Sequence, residues 1–139
     1  MDIHERLLHT EIFASLDDAG LSLVADSSRV TEIPSGSLLF SEGDKGGVLF
    51  LLLSGRLQIE KSAEGGPSVI AELVEGDVLG ELEFFTAAPY NASSRAVEDS
   101  KLLRIPGEGD SFSAVLEKYP QVAAKVIYEF LKVFSARLR

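Results

Sequence analysis

The residues able to do chemistry in this sequence are few in kind. There is no cysteine, so thiolate nucleophiles, disulfides and Cys-based zinc or iron–sulfur sites are excluded. The two histidines, His4 and His9, stand five residues apart. That spacing puts them on different faces of a helix, and both are expected at the surface. No Gly-x-Ser-x-Gly turn presents a serine nucleophile. Carboxylates are numerous, but Glu81 and Glu83 flank Leu82, and a helix there would splay them apart. No catalytic constellation emerges, and a non-enzymatic role is expected. One stretch does offer a binding chemistry. Between Gly76 and Ala96 a short strand ends at Gly80, a short helix begins at Glu81 and stops before Pro89, and another strand follows. A glycine at a helix start lets backbone approach a ligand, and free N–H groups there can hold a phosphate. Glu81 beside it could accept hydrogen bonds from sugar hydroxyls. A strand–turn–helix with one glycine also occurs for purely structural reasons.

The elements that must position this stretch follow from apolar spacing. In the first quarter, Ile3/Leu7/Leu8, Ile12/Phe13/Leu16 and Leu21/Val24/Ala25 have helical spacing, and Asp17-Asp18 offers an N-cap for a helix over 19–27. From Arg29 the pattern changes to short apolar runs separated by turn residues. The runs are Val30/Ile33, Leu38 to Phe40, Val48 to Leu53, Leu57/Ile59, Val69 to Val74 and Val78-Leu79. The turns include Pro34-Ser35-Gly36, Glu42-Gly43-Asp44, Ser54-Gly55, Gly65-Gly66-Pro67 and Glu75-Gly76-Asp77. Strict alternation in Arg56-Leu57-Gln58-Ile59-Glu60 predicts a strand with Leu57 and Ile59 inward. Val48 to Leu53 lacks alternation and predicts a strand covered on both faces. Two last strands are expected over 92–97 and 101–105. Such short strands with regular turns suggest a sandwich, jelly roll or barrel.

After Pro106 the period becomes helical again, with a short helix over 111–118 and a long one from Pro120 to the end. In the long helix Ala123, Ile127, Phe130, Leu131, Phe134 and Leu138 form one stripe, widened by Val122, Val126 and Val133. That stripe is broader than one packing surface requires, so the helix is expected to pack on its own domain and on a partner. The organisation expected is a single domain: N-terminal helices over 1–28, β structure over 29–106 and C-terminal helices over 107–139.

Charge narrows the function classes. The chain carries a formal net charge of −9 over 139 residues, which opposes unaided binding to nucleic acid or to an anionic membrane. The acidity is concentrated before residue 108, where eight Lys/Arg face eighteen Asp/Glu. The N-terminus lacks a basic and then apolar leader, and the longest apolar run is far short of the ~20 residues a membrane helix needs. A soluble, cytoplasmic protein is expected. An anionic ligand would need local help from a cation.

Gly36, Glu42-Gly43-Asp44, Phe50 to Gly55, Gly76-Asp77 and Gly80-Glu81-Leu82 occur in an order and at spacings that resemble the cyclic nucleotide-binding domain family of bacterial catabolite activators and kinase regulatory subunits. The resemblance covers roughly residues 13–139. It implies an eight-stranded jelly roll (a double-stranded β-helix) flanked by helices, with Gly80 to Ala92 as the phosphate-binding cassette. It implies that Glu81 bonds the ribose 2′-hydroxyl and that Gly80 lies beside the ligand. Leu79, Gly80, Glu81, Leu82, Tyr90, Asn91 and Ala92 are the ligand-binding candidates it yields, with cyclic AMP or cyclic GMP as ligand. Tyr128, Phe130 and Leu131 of the final helix are candidates to cover the base. The family's transcription factors continue into a helix-turn-helix, and none is expected within these residues.

The sequence departs from the family at one position. Where the family places an arginine after the cassette proline to pair with the cyclic phosphate, this chain has Pro89-Tyr90-Asn91-Ala92. A phenol offers one neutral hydroxyl in place of a charge-assisted, often bidentate contact. The loss predicts at least a ten- to hundredfold weaker cyclic nucleotide, at about 1.4 kcal/mol per decade. Arg95 is the nearest alternative cation. Three roles follow: a regulatory sensor of cyclic nucleotide coupled to the final helix, a binder of a different small molecule at the same place, or a dimerising or protein-docking module. A homodimer through the C-terminal helix is expected.

Overall fold

The computed structural model describes residues 2–109 and 117–138. Asp2 caps α1 (Ile3–Leu8). Asp17 caps α2 (Asp18–Asp26), its carboxylate accepting from the Gly20 amide at 2.8 Å, as its residue type demands. Between these helices the chain departs from expectation. Ile12, Phe13 and Leu16 are buried, but they lie on successive turns, with the amides of Phe13 and Leu16 bonded to the carbonyls of Thr10 and Phe13. The buried Thr10 hydroxyl donates to the Leu7 carbonyl, occupying an acceptor that a continuing helix would use.

Eight strands lie among the described residues: β1 (Arg29–Ile33), β2 (Leu38–Phe40), β3 (Leu49–Ser54), β4 (Leu57–Lys61), β5 (Ser68–Leu73), β6 (Val78–Leu79), β7 (Ser93–Ala96) and β8 (Ser100–Ile105). They form two four-stranded antiparallel sheets, ordered β1-β8-β3-β6 and β2-β7-β4-β5. A short helix, α3 (Glu81–Thr86), separates β6 from β7, and a long one, α4 (Pro120–Arg137), closes the chain. The short helix expected over 111–118 lies largely outside the described residues.

Two apolar clusters hold the layers, and β3 belongs to both. Leu49, Leu51 and Leu53 face the helices with Leu7, Phe13, Val24, Phe84 and Phe130. Phe50 and Leu52 face the interior of the roll with Leu57, Leu79, Ala96 and Leu102. This two-sided burial is why β3 shows no polar alternation. β4 does alternate: Leu57 is fully buried and Ile59 packs on the same inner cluster.

α4 docks on the helical side through Ala123, Val126 and Phe130, all buried. Away from these contacts it keeps Tyr128, Leu131 and Leu138 at 63%, 57% and 73% exposure, Leu131 and Leu138 on the flank of the docked face and Tyr128 behind it. The width of the apolar stripe thus divides between one docked face and one open face. No helix is long and apolar enough to cross a membrane among the described residues.

Candidate functional site

The segment expected to form the cassette runs from the end of β6 through α3 to the start of β7. Gly80 has a left-handed φ of 81°, a conformation glycine adopts without the usual steric cost. A Cβ there would lie 2.8 Å from the Val48 carbonyl oxygen and 3.2 Å from Cε1 of Tyr90. The glycine is therefore required twice, by its dihedral and by the Val48 carbonyl that lies against it.

Tyr90 is the centre of the arrangement. Its backbone is held on both sides by the loop before β3: its amide donates to Asp44 and its carbonyl accepts from Gly43, at 2.9 and 2.8 Å. Its side chain turns inward and is only 5% exposed. The hydroxyl donates to the Val48 carbonyl at 2.7 Å. The ring stacks on Phe40 with centroids 3.9 Å apart and planes 12° from parallel, and Phe40 in turn stacks on Phe50. Burial dominates its titration and pushes the phenol up to about 12. The ring is thus an uncharged, hydrogen-bonded part of the interior.

Glu81 points elsewhere. Its carboxylate accepts from Arg137 Nη1 at 3.1 Å and faces a groove lined by His9, Asp77, Val133 and Arg137. The cassette helix and α4 are joined a second time by Phe85 and Phe130, with ring centroids 4.4 Å apart. Leu79 is buried in the roll, Leu82 is 41% exposed on the surface, and Ala92 is buried. Asn91 is exposed, and its backbone carbonyl accepts from Lys61 Nζ. Of the candidate site residues, the structure brings Leu79, Gly80 and Tyr90 against the roll interior, turns Glu81 toward Arg137 of α4 and leaves Leu82 exposed.

The cations near the cassette are committed. Arg95 pairs with Glu60, Nε to Oε2 at 2.9 Å, and its Nη1 donates to the Gly36 carbonyl. Strand alternation explains this. Ser94 and Ala96 are buried toward the interior, which leaves Arg95 on the outer face of β7. The hydrogen bond from Arg95, with one from Gln58, holds the Glu60 carboxyl below its ordinary range. Arg104 lies opposite Phe50 in the β3–β8 register and donates to the Pro106 carbonyl at 2.6 Å. It exerts a small charge effect on the Tyr90 phenol. Phe40, Val48, Arg104 and Arg137 were not foreseen as neighbours of the site. Their only sequence signal is apolar or basic character, and the register and the long-range packing that bring them in are tertiary. Of the base-covering candidates, Phe130 is buried in the helical core, while Tyr128 and Leu131 face outward. His4 is at the surface, its Nε2 within 3.0 Å of the Ser22 hydroxyl. Among the described residues no group of His, Asp and Glu could hold a metal.

Comparison with known proteins decides the family. The model of the cyclic nucleotide-binding domain matches residues 30–119. The chain belongs to the cyclic nucleotide-binding domain family. Among solved structures, this cyclic nucleotide-binding domain is similar to the N-terminal domain of a transcriptional regulator from Streptomyces coelicolor. That likeness has a TM-score of 0.81 and 26% identity, and covers 95% of this chain and 94% of that one. It is also similar to the regulatory domain of Toxoplasma gondii PKA crystallised with cAMP, with a TM-score of 0.73 and 29% identity, over 81% of this chain and 42% of that one. A lysophospholipase of Neurospora crassa is 31% identical over 109 residues, which is 78% of this chain and 7% of that protein. The domain therefore spans a small fraction of that curated relative.

Proposed function

We propose that this domain is a non-catalytic regulatory module whose output surface is the open face of α4. The observation that carries the reading is the double character of that helix. One face is fixed in the core by Ala123, Val126 and Phe130, and the other leaves Tyr128, Leu131 and Leu138 uncovered. Ile127, Leu131, Phe134 and Leu138 follow one another at intervals of four, three and four residues, with Ile127 partly covered by the helical core and Phe134 stacked on Phe130. That is the seam spacing of a coiled coil, and it suits the same helix of a second copy across a two-fold axis. The Glu81–Arg137 ion pair and the Phe85–Phe130 contact give the cassette a physical route to this face. A change at α3 is then felt by α4, provided a ligand favours one of two arrangements.

The similarity to a PKA regulatory domain solved with cAMP supports the cassette as the counterpart of the family's ligand site, and so as the place where a regulatory input would act. Glu81 retains the acceptor that the family uses for the ribose, at present engaged by Arg137. Sedimentation of the whole chain tests the output surface. A dimer is expected for the wild type, and a monomer of unchanged circular dichroism for the double substitution Leu131→Glu, Leu138→Glu. A wild-type chain that stays monomeric at ~100 μM, where a stable interface would be populated, defeats the reading.

A further inference from the structure

We infer that Tyr90 is a built-in occupant of the cassette, and that this domain refuses cyclic nucleotides because its own side chain fills the place of the cyclic phosphate. The inference rests on the reading of the cassette as the family's ligand site. Three observations carry it. The residue is pinned at both backbone groups by Gly43 and Asp44, so the loop presents it in one orientation. Its ring is committed to the interior by the bond to the Val48 carbonyl and the stack on Phe40. It also lies against the backbone of Gly80, the residue whose family role is to stand beside the ligand. Space and charge are lost together, because the residue that fills the site is also the one that replaces the arginine. Of the arginines near the ring, Arg95 is tied to Glu60 and Gly36, Arg137 to Glu81, and Arg104 to the Pro106 carbonyl.

The phenol is neutral at physiological pH by its ordinary titration, and burial moves its ionisation further away. The stacked rings of Phe40, Phe50 and Tyr90 offer an anion no charged donor, and the Arg104 guanidinium opposite Phe50 donates to the Pro106 carbonyl instead. A ligand entering this site would have to expel the ring, breaking the hydrogen bond and the stack before forming any contact of its own.

Calorimetric titration of the whole chain with cyclic AMP and cyclic GMP tests this, alongside Tyr90→Arg and Tyr90→Ala. The wild type should give no saturable heat up to about 1 mM. Tyr90→Arg should bind at least tenfold tighter than that limit, which is the gain expected from one charge-assisted phosphate contact. Micromolar binding by the wild type overturns the inference, and so does silence from both variants if their circular dichroism is unchanged. A measurement on the wild type alone guards against misfolded variants. Treatment with tetranitromethane followed by peptide mass spectrometry should nitrate Tyr128, which is 63% exposed, and spare Tyr90. Nitration of Tyr90 at a similar rate overturns the proposal. A silent titration with a monomeric wild type leaves Tyr90 in place and removes the output surface, whereas nucleotide binding by a dimer does the reverse.

Discussion

Replacing Tyr90 by phenylalanine keeps the ring on Phe40 and deletes the hydroxyl that donates to Val48. The expected loss is about 1 kcal/mol, the usual worth of one such bond, read from urea unfolding. Tyr90→Ala removes the ring as well and should cost roughly 3–5 kcal/mol, the range for emptying a large aromatic from a core. The phenol also sets an alkaline limit. Its ordinary value is 10.0 and the fold raises it to about 12, so the protonated form is favoured in the native state. The stabilisation is complete below pH 10, declines between pH 10 and 12, and is gone above. Its ceiling is ~3 kcal/mol. The difference in unfolding free energy between wild type and Tyr90→Phe should shrink over that interval. A difference that stays constant would mean the phenol is free to ionise. Gly80→Ala should be destabilised by at least ~1–2 kcal/mol from the left-handed dihedral alone, with more from the approach to the Val48 carbonyl.

At the scale of elements, α3 and α4 are joined by contacts of unequal worth. The Glu81–Arg137 pair is partly exposed, with Arg137 at 56%, and Arg137→Ala should change stability by no more than about 1 kcal/mol. The Phe85–Phe130 contact lies in the helical core, and Phe130→Ala should cost about 3–5 kcal/mol. Unfolding midpoints of the two variants separate a trimming contact from a structural one. Between β4 and β7, the Glu60 carboxylate is stabilised by its bond to Arg95. Its contribution is present above the ordinary carboxylate range and is lost as pH falls through the depressed native value. Acid unfolding of Glu60→Gln should therefore show a shallower dependence on pH than the wild type. Equal slopes would argue that the pair is screened by solvent.

For the whole molecule, the surface charge makes its own forecast. With a net charge of −9, the chain should show no measurable retention of duplex DNA in a fluorescence anisotropy titration at 150 mM salt, because no sufficient set of cations is available to displace counterions. Retention at this salt would point to a basic face that the charge count conceals. Association through α4 has the opposite salt response. The association proposed for that helix would rest on Leu131 and Leu138, and a dimer, where one forms, should survive 0.5 M salt, as apolar burial does.

Much of this protein was legible in the residues alone. The turn glycines, the alternation at Leu57 and Ile59 and the unbroken apolar run at Val48 to Leu53 each impose a local geometry, and those geometries agree on one roll. Gly80 and Glu81 drew attention to the turn into α3, and Tyr90 stood out because its type breaks the charge that the resemblance leads one to expect. The sequence was silent on where those side chains point. A phenol is amphipathic, so the same Tyr90 could have reached outward as a donor or folded inward as packing. Only the pinning by Gly43 and Asp44, the free face of Phe40 and the bare carbonyl of Val48 turn it inward. Those partners lie some forty to fifty residues away and meet it only when the sheets close. Arg95 was likewise an open candidate, and the inward burial of Ser94 and Ala96 put it on the far face with Glu60. Residue type determines what a group can bond, but the tertiary structure decides which of its potential partners is within reach.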